Sequence, residues 1–237
     1  MAAVDTAMAE VCGLELVQVM ETAGRAVAIV TRQVWRRGGA GGAVVVLCGS
    51  GGNGGDGFVC GRYLHGWGIP VELWPMRPSG ELHGLAGHQC EVCRRIGMTI
   101  VEPDCAPAFG TAGLIVDGLF GFGLSAPPRD RAAALIEAAN AAASPTLAID
   151  IPSGIDSTTG VAMEPAIAAA WTVTLGLPKV GLVRAAGPDH AGRVIVADIG
   201  IPAAAYRAAG IPETAVFHDT EFADLNGAHW RSDDSVS

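Results

Sequence analysis

The feature that most constrains this chain is a short apolar run that breaks into glycine. Ala43 to Cys48 carries three valines in a row. It opens directly into Cys48-Gly-Ser-Gly-Gly-Asn-Gly-Gly-Asp-Gly57. A run without polar alternation suits a strand buried on both faces, as in a parallel sheet. Parallel neighbours need a crossover connection, usually a helix, and Asp56 to Trp67 reads as one. The order recurs along the chain. Val71 to Trp74, Met98 to Val101, Leu114 to Asp117, Thr146 to Ile149, Trp171 to Leu175 and Val194 to Val196 read as strands. Helical spacing marks Leu16 to Trp35, with Met20, Ala23, Val27 and Val30 on one face. It also marks Leu82 to Arg95 and Arg129 to Ala143. The alternation predicts a three-layer α/β/α, Rossmann-like fold with a doubly wound, mostly parallel sheet. A single domain is expected over residues 1–217, and a polar C-terminal tail that frays over 218–237.

Charge narrows the partners. The formal net charge of -9 argues against nucleic acid or an anionic membrane surface, which need clustered Lys and Arg. A phosphorylated small molecule remains compatible, because backbone N–H groups at a helix start hold phosphate without basic side chains. No apolar run reaches the roughly 20 residues of a membrane span, and the N-terminus does not read as a signal peptide. The expected location is cytoplasmic. Lys179 is the sole lysine. A bias toward Ala, Gly and Arg explains the missing lysines but not the one retained.

The six cysteines include Cys90 and Cys93, which with His88 and Cys105 offer four conceivable zinc ligands. A zinc ribbon shows two clear pairs, and the second is missing. Cys90 and Cys93 fall on a predicted helix as small apolar residues, so no zinc is expected.

Ligands of an open α/β sheet sit beyond the carboxyl ends of its strands, and three loops there are chemically distinctive. In the glycine loop the bare backbone can approach a ligand closely. Asn53 and Asp56 are its polar groups, and the following helix start favours an anion. The spacing is neither a P-loop nor a clean Gly-x-Gly-x-x-Gly. The second loop is Asp117-Gly-Leu-Phe-Gly-Phe-Gly-Leu-Ser-Ala-Pro-Pro128, and the third is Asp150-Ile-Pro-Ser-Gly-Ile-Asp156. Read alone, the second is a helix-entry turn and the third an Asx turn. Together, Asp117, Asp150, Ser153 and Asn53 would converge on one rim. Their hard oxygens suit an alkali or alkaline-earth cation better than zinc.

These loops, in this order, resemble the NAD(P)H-hydrate epimerases, the YjeF N-terminal domain family. Met20-Glu-Thr-Ala-Gly24, Thr172-Val-Thr-Leu-Gly-Leu-Pro-Lys-Val-Gly-Leu182 and Asp198-Ile-Gly-Ile-Pro202 are similar to further motifs of that family, so the resemblance spans about residues 5–205. It implies interconversion of the R and S forms of hydrated NADH and NADPH, with bound potassium. Carried over, Asn53, Asp117 and Ser153 are the potassium ligands. Gly52, Asn53, Gly54, Gly55, Asp56, the segment Gly121, Phe122, Gly123, Leu124, Ser125, Ala126, Pro127, and Asp150 contact the substrate. A carboxylate exchanging a proton at the hydrated carbon is the expected catalyst, with Asp150 first and Asp56 second. The resemblance further implies a homodimer. The dehydratase fused to many members would here be a separate protein or absent. Two positions depart from the pattern: Gly52 replaces the first Asn of a pair, and Met76 precedes Arg77-Pro78 where some members carry Lys. A repurposed isomerase acting on another small metabolite, and a non-enzymatic dimerisation or interaction domain, are the alternatives.

Overall fold

The computed structural model describes residues 2–212, 217 and 220–225. The strands are β1 (Ala43–Cys48), β2 (Val71–Pro75), β3 (Thr99–Ile100), β4 (Ala112–Gly118), β5 (Thr146–Ile149), β6 (Trp171–Leu175), β7 (Arg193–Ala197) and β8 (Phe222–Asp224). They form one sheet in the order β3-β2-β1-β4-β5-β6-β7-β8. Every pairing is parallel except the last, where β8 runs antiparallel to β7. The chain winds outward from β1 in one direction and from β4 in the other. The gap between their carboxyl ends is therefore the switch point, where doubly wound sheets bind ligands.

Period-two alternation divides the core. Val44, Val46 and Cys48 of β1 face one layer, and Val45 and Leu47 the other. On the first face lie α2 (Leu16–Arg37), α3 (Gly52–Gly66) and α4 (Gly84–Arg95), through Val27, Val30, Phe58, Leu64, Cys90 and Cys93. On the second lies α5 (Asp130–Ala141), through Leu135 and Ile136, each contributing roughly 1.5–3 kcal/mol by burial. The expected three-layer arrangement and each expected strand are present.

Three differences stand out. The helix expected from Asp56 begins four residues earlier, at Gly52. Glycine disfavours helix by about 1 kcal/mol, so the run reads as loop, but packing overrides that preference. A Cβ on Gly54 would collide with the backbone of Gly49, and one on Gly55 with Met20. Only glycine lets α3 start flush against the end of β1. The short α6 (Gly187–Ala191) and α7 (Ala203–Ala208) were not expected, and α1 (Ala2–Glu10) pairs with α2 at the N-terminus in sequence. Val4 and Met8 of α1 pack on Ala205 of α7, a contact no local pattern announces. Finally, Phe222–Asp224 falls within the expected polar tail yet pairs with β7, its Phe222 buried in the main core. Residues 226–237 of that tail lie outside the described residues.

Candidate active site

A cleft of about 490 Å3 opens at the switch point. Its floor is the glycine turn and the start of α3. The first bond inside α3 runs from Gly55 N to Gly51 O at 3.1 Å, so the earlier amides have no partner within the helix. No side chain caps them, and a Cβ on Gly51 or Gly52 would meet open space. The helix start is therefore available to an anion. Asn53 and Asp56, one turn apart at most, both line the cleft.

The second and third loops meet beneath it. Asp117, at the end of β4, is fully buried. Its carboxylate accepts Ser153 N at 2.8 Å, Ser153 Oγ at 2.6 Å and Leu119 N at 3.2 Å. Phe120 N in turn donates to Ser153 Oγ at 2.9 Å. Burial pushes the Asp117 carboxyl up to about 6, against the pull of the Ser153 and Leu119 donors. Asn53 Nδ2 is buried without a hydrogen-bond partner. A Cβ on Gly121 would stand 3.3 Å from Asn53 Oδ1 and 3.4 Å from Asp150 Oδ2, so that glycine separates the two polar groups with no side chain between them.

Asp150 is placed by an unusual turn. Its N–H donates to Val173 O at 2.8 Å as the ladder between β5 and β6 ends, and Ile151 N then bonds Ile149 O at 2.8 Å. Asp150 is thus the central residue of a γ-turn, at φ 69°. At the end of neighbouring β6, Leu177 N bonds Leu175 O at 2.8 Å in the same way, but there the central residue is Gly176, at φ 68°. Positive φ costs a non-glycine residue about 1–3 kcal/mol and concentrates at functional sites. The carboxylate is 4% exposed as a residue. It forms an ion pair with Lys179 Nζ, and its Oδ1 accepts Leu175 N at 3.3 Å. Lys179 Nζ also donates to Leu175 O at 2.9 Å.

Asp56 has a different environment. Burial above all, and then the charge of Asp150, hold its carboxyl well above the usual carboxylate range, with Lys179 opposing. Asp5, reaching the cleft from α1, is also raised by burial, with Lys179 opposing and Asp150 adding to the rise. The site therefore gathers three carboxyl groups and one ammonium from four separate elements.

Among the sequence-derived substrate residues, Gly52, Asn53, Asp56, Gly121, Phe122, Gly123, Leu124 and Asp150 line the cleft. Gly54 and Gly55 are buried under it as packing positions. Ser125, Ala126 and Pro127 are exposed and outside the lining. The proposed cation ligands Asp117 and Ser153 touch one another, while Asn53 approaches from α3. Sequence reasoning missed Lys179 and Asp5. The first had a signal, as the single lysine of the chain within the Pro178-Lys179 segment; the second had none. His88 and Cys105 are exposed, whereas Cys90 and Cys93 point into the core, so the four zinc candidates are divided between surface and interior.

Comparison with known proteins places this geometry. The profile of the YjeF-related protein N-terminus matches residues 16–181. An NAD(P)H-hydrate epimerase of Dehalogenimonas lykanthroporepellens is 34% identical over 208 residues, covering 88% of this chain and 82% of the relative. A bifunctional NAD(P)H-hydrate repair enzyme Nnr of Moorella thermoacetica is 37% identical over 168 residues, covering 67% of this chain, which spans only 31% of that longer protein. A yeast protein solved by crystallography superposes with a TM-score of 0.75 at 24% identity, over 94% of this chain and 96% of the yeast chain, a likeness of fold.

Proposed function

The chain belongs to the YjeF-related protein N-terminal family, and from that premise we propose that it is an isomerase interconverting the R and S forms of hydrated NADH and NADPH in nicotinamide cofactor repair. One observation carries the reading: two carboxyl groups line one cleft, Asp56 raised by burial and Asp150 held in an ion pair with Lys179. Such a pair supplies one proton donor and one proton acceptor. Asp56, buried and raised, is the acid. Asp150, paired with an ammonium, is the base.

The reaction follows. The pyrophosphate rests on the free amides at the start of α3, which brings the hydrated ring toward Asp56 and Asp150. Asp56 gives its proton to the hydroxyl on the hydrated carbon. The carbon–oxygen bond breaks, water leaves with the electron pair, and the ring nitrogen's lone pair makes a flat cation. The carboxylate of Asp150 favours that positive charge in a site of low dielectric. Water then adds to either face, Asp150 takes the proton released and passes it to solvent, and solvent returns a proton to Asp56. Addition to the opposite face inverts the centre.

Potassium suits Asn53, Asp117 and Ser153. Asp117 is a buried carboxylate whose named partners are N–H and O–H donors, and Asn53 Nδ2 is an orphan whose amide could equally present its oxygen. Bound potassium would supply the missing positive charge and hold the three loops together. A cytoplasmic homodimer completes the proposal. No helix among the described residues is long and apolar enough to cross a membrane, and light scattering separates a dimer from a single 24.1 kDa chain.

The test is to supply purified protein with separated R or S NADPHX and follow the opposite form by chromatography. Conversion no faster than the spontaneous rate would end the proposal.

A further inference from the structure

We propose that Lys179 is the positioning residue of this site, fixing the Asp150 carboxylate against the cleft through an ion pair with no stabilising role of its own. The inference rests on the epimerase reading and deepens it.

Burial comes first. The side chains of Lys179 and Asp150 are each 5% exposed. Removing two charges from water costs several kcal/mol per ion, and an apolar pair of similar volume is commonly as stable or more so. Stability alone therefore gives no reason for this pair. Local backbone points the same way. Asp150 occupies a γ-turn at positive φ where the adjoining β6 turn uses Gly176, so strain is accepted to aim this carboxylate.

Composition adds an independent argument. Of 15 basic residues, 15 minus the one lysine leaves 14 arginines, so the chain uses arginine wherever a cation will do. At Lys179 a compact ammonium does what a guanidinium cannot. It follows β6 by four residues and returns to donate to Leu175 O at 2.9 Å while pairing with Asp150. Leu175 N donates to the same Oδ1 at 3.3 Å. Leu175 N and Lys179 Nζ together clamp one carboxylate oxygen with two donors, leaving Oδ2 toward Gly121 and the cleft.

The surroundings explain why a clamp is needed. Asp56 on α3 and Asp5 on α1 line the same cleft, and both feel the charge of Asp150 unfavourably. Among the described residues Lys179 is the one ammonium lining it, and it opposes the rise of both. Without it, Asp150 would turn toward solvent and away from the other carboxyl groups, and its free oxygen would leave the reacting carbon.

The experiment is a double-mutant cycle of Lys179→Met, Asp150→Asn and both together, with kcat, KM and melting temperature measured on NADPHX for each. Lys179→Met keeps the chain length and apolar stem. The expected result is a fall in kcat of about 10²-fold, the scale of a misplaced reacting group, with KM little changed; melting temperature should fall, because Asp150 is left buried without its partner, and should recover in the double variant. The double variant should be no slower than Asp150→Asn alone, because the lysine acts through the aspartate. If Lys179→Met does not fold, Lys179→Gln takes its place in the same cycle. Losses that multiply in the double variant, or a loss confined to KM, overturn the inference while leaving the epimerase reading intact. A wild-type protein inactive on both hydrates overturns that reading and this inference with it.

Discussion

Ser153 Oγ donates a 2.6 Å hydrogen bond to Asp117 Oδ1, joining two strand-end loops 36 residues apart in sequence. Ser153 N reaches the other carboxylate oxygen at 2.8 Å, so one residue engages both oxygens of a buried acid. The pair fixes the height of the Phe120–Leu124 segment over the cleft, because Phe120 N is held by the same hydroxyl.

Potassium should stabilise the protein through this pair. Potassium chloride should raise Tm above that in choline chloride of equal ionic strength. A site held at 100 times its dissociation constant contributes about 2.7 kcal/mol, or roughly 5–10 °C for a chain of this size. Asp117→Asn and Ser153→Ala should each abolish the difference in a thermal melt. A Tm indifferent to potassium in the wild type would remove the cation from the proposal.

The two catalytic carboxyl groups should separate kinetically. Asp150→Asn keeps size and hydrogen bonding but cannot take a proton, so kcat should drop by about 10² to 10⁴ with KM little changed. Asp56→Asn should lower kcat comparably. Asp56 works in its protonated form, which burial preserves well above the ordinary carboxylate range. Wild-type kcat should therefore decline as pH rises through the ionisation of Asp56, which burial displaces upward, and that limb should vanish in Asp56→Asn. If Asp56→Asn instead raises KM and spares kcat, Asp56 binds rather than donates.

Gly52 has room for the side chain that the family pattern places there. Nothing lies within 4 Å of a Cβ on it, and it opens α3 at the cleft. Gly52→Asn should lower KM by about 2- to 10-fold, the worth of one added hydrogen bond, and leave kcat alone. A raised KM would mean that substrate already occupies that space.

Gly24 governs how α2 lies on α3. A Cβ there would collide with the side chain of Val59. Gly24→Ala should therefore destabilise the protein by about 1–3 kcal/mol, read by urea denaturation. Met20 and Ala23, on the same helix, line the cleft, so KM should rise even in the folded variant. An unchanged urea midpoint would show that the two helices part without cost.

The sequence by itself determined the layers and the chemistry at their edge. The uninterrupted apolar run from Ala43 to Cys48 suits a sheet buried on both faces, and it became a strand with those bounds, as did Thr146 to Ile149 and Trp171 to Leu175, whose threonines are buried too. The oxygens of Asn53, Asp117, Asp150 and Ser153 stood out because each lies at or just beyond the end of a strand, in a segment with few other polar groups. Tertiary structure decided the rest. Glycine's local preference is for loop, so that α3 starts at Gly52 followed only from contacts with Gly49 and Met20. Three residues of a polar tail became a strand because β7 offered an unpaired edge. Lys179 meets Asp150, and Asp5 enters the same cleft, because β5 and β6 are neighbours and α1 packs on α7. Periodicity records which face of an element is apolar; it does not record which elements become neighbours. The charges that divide Asp56 from Asp150 depend on those neighbours, across separations in sequence that no local pattern spans.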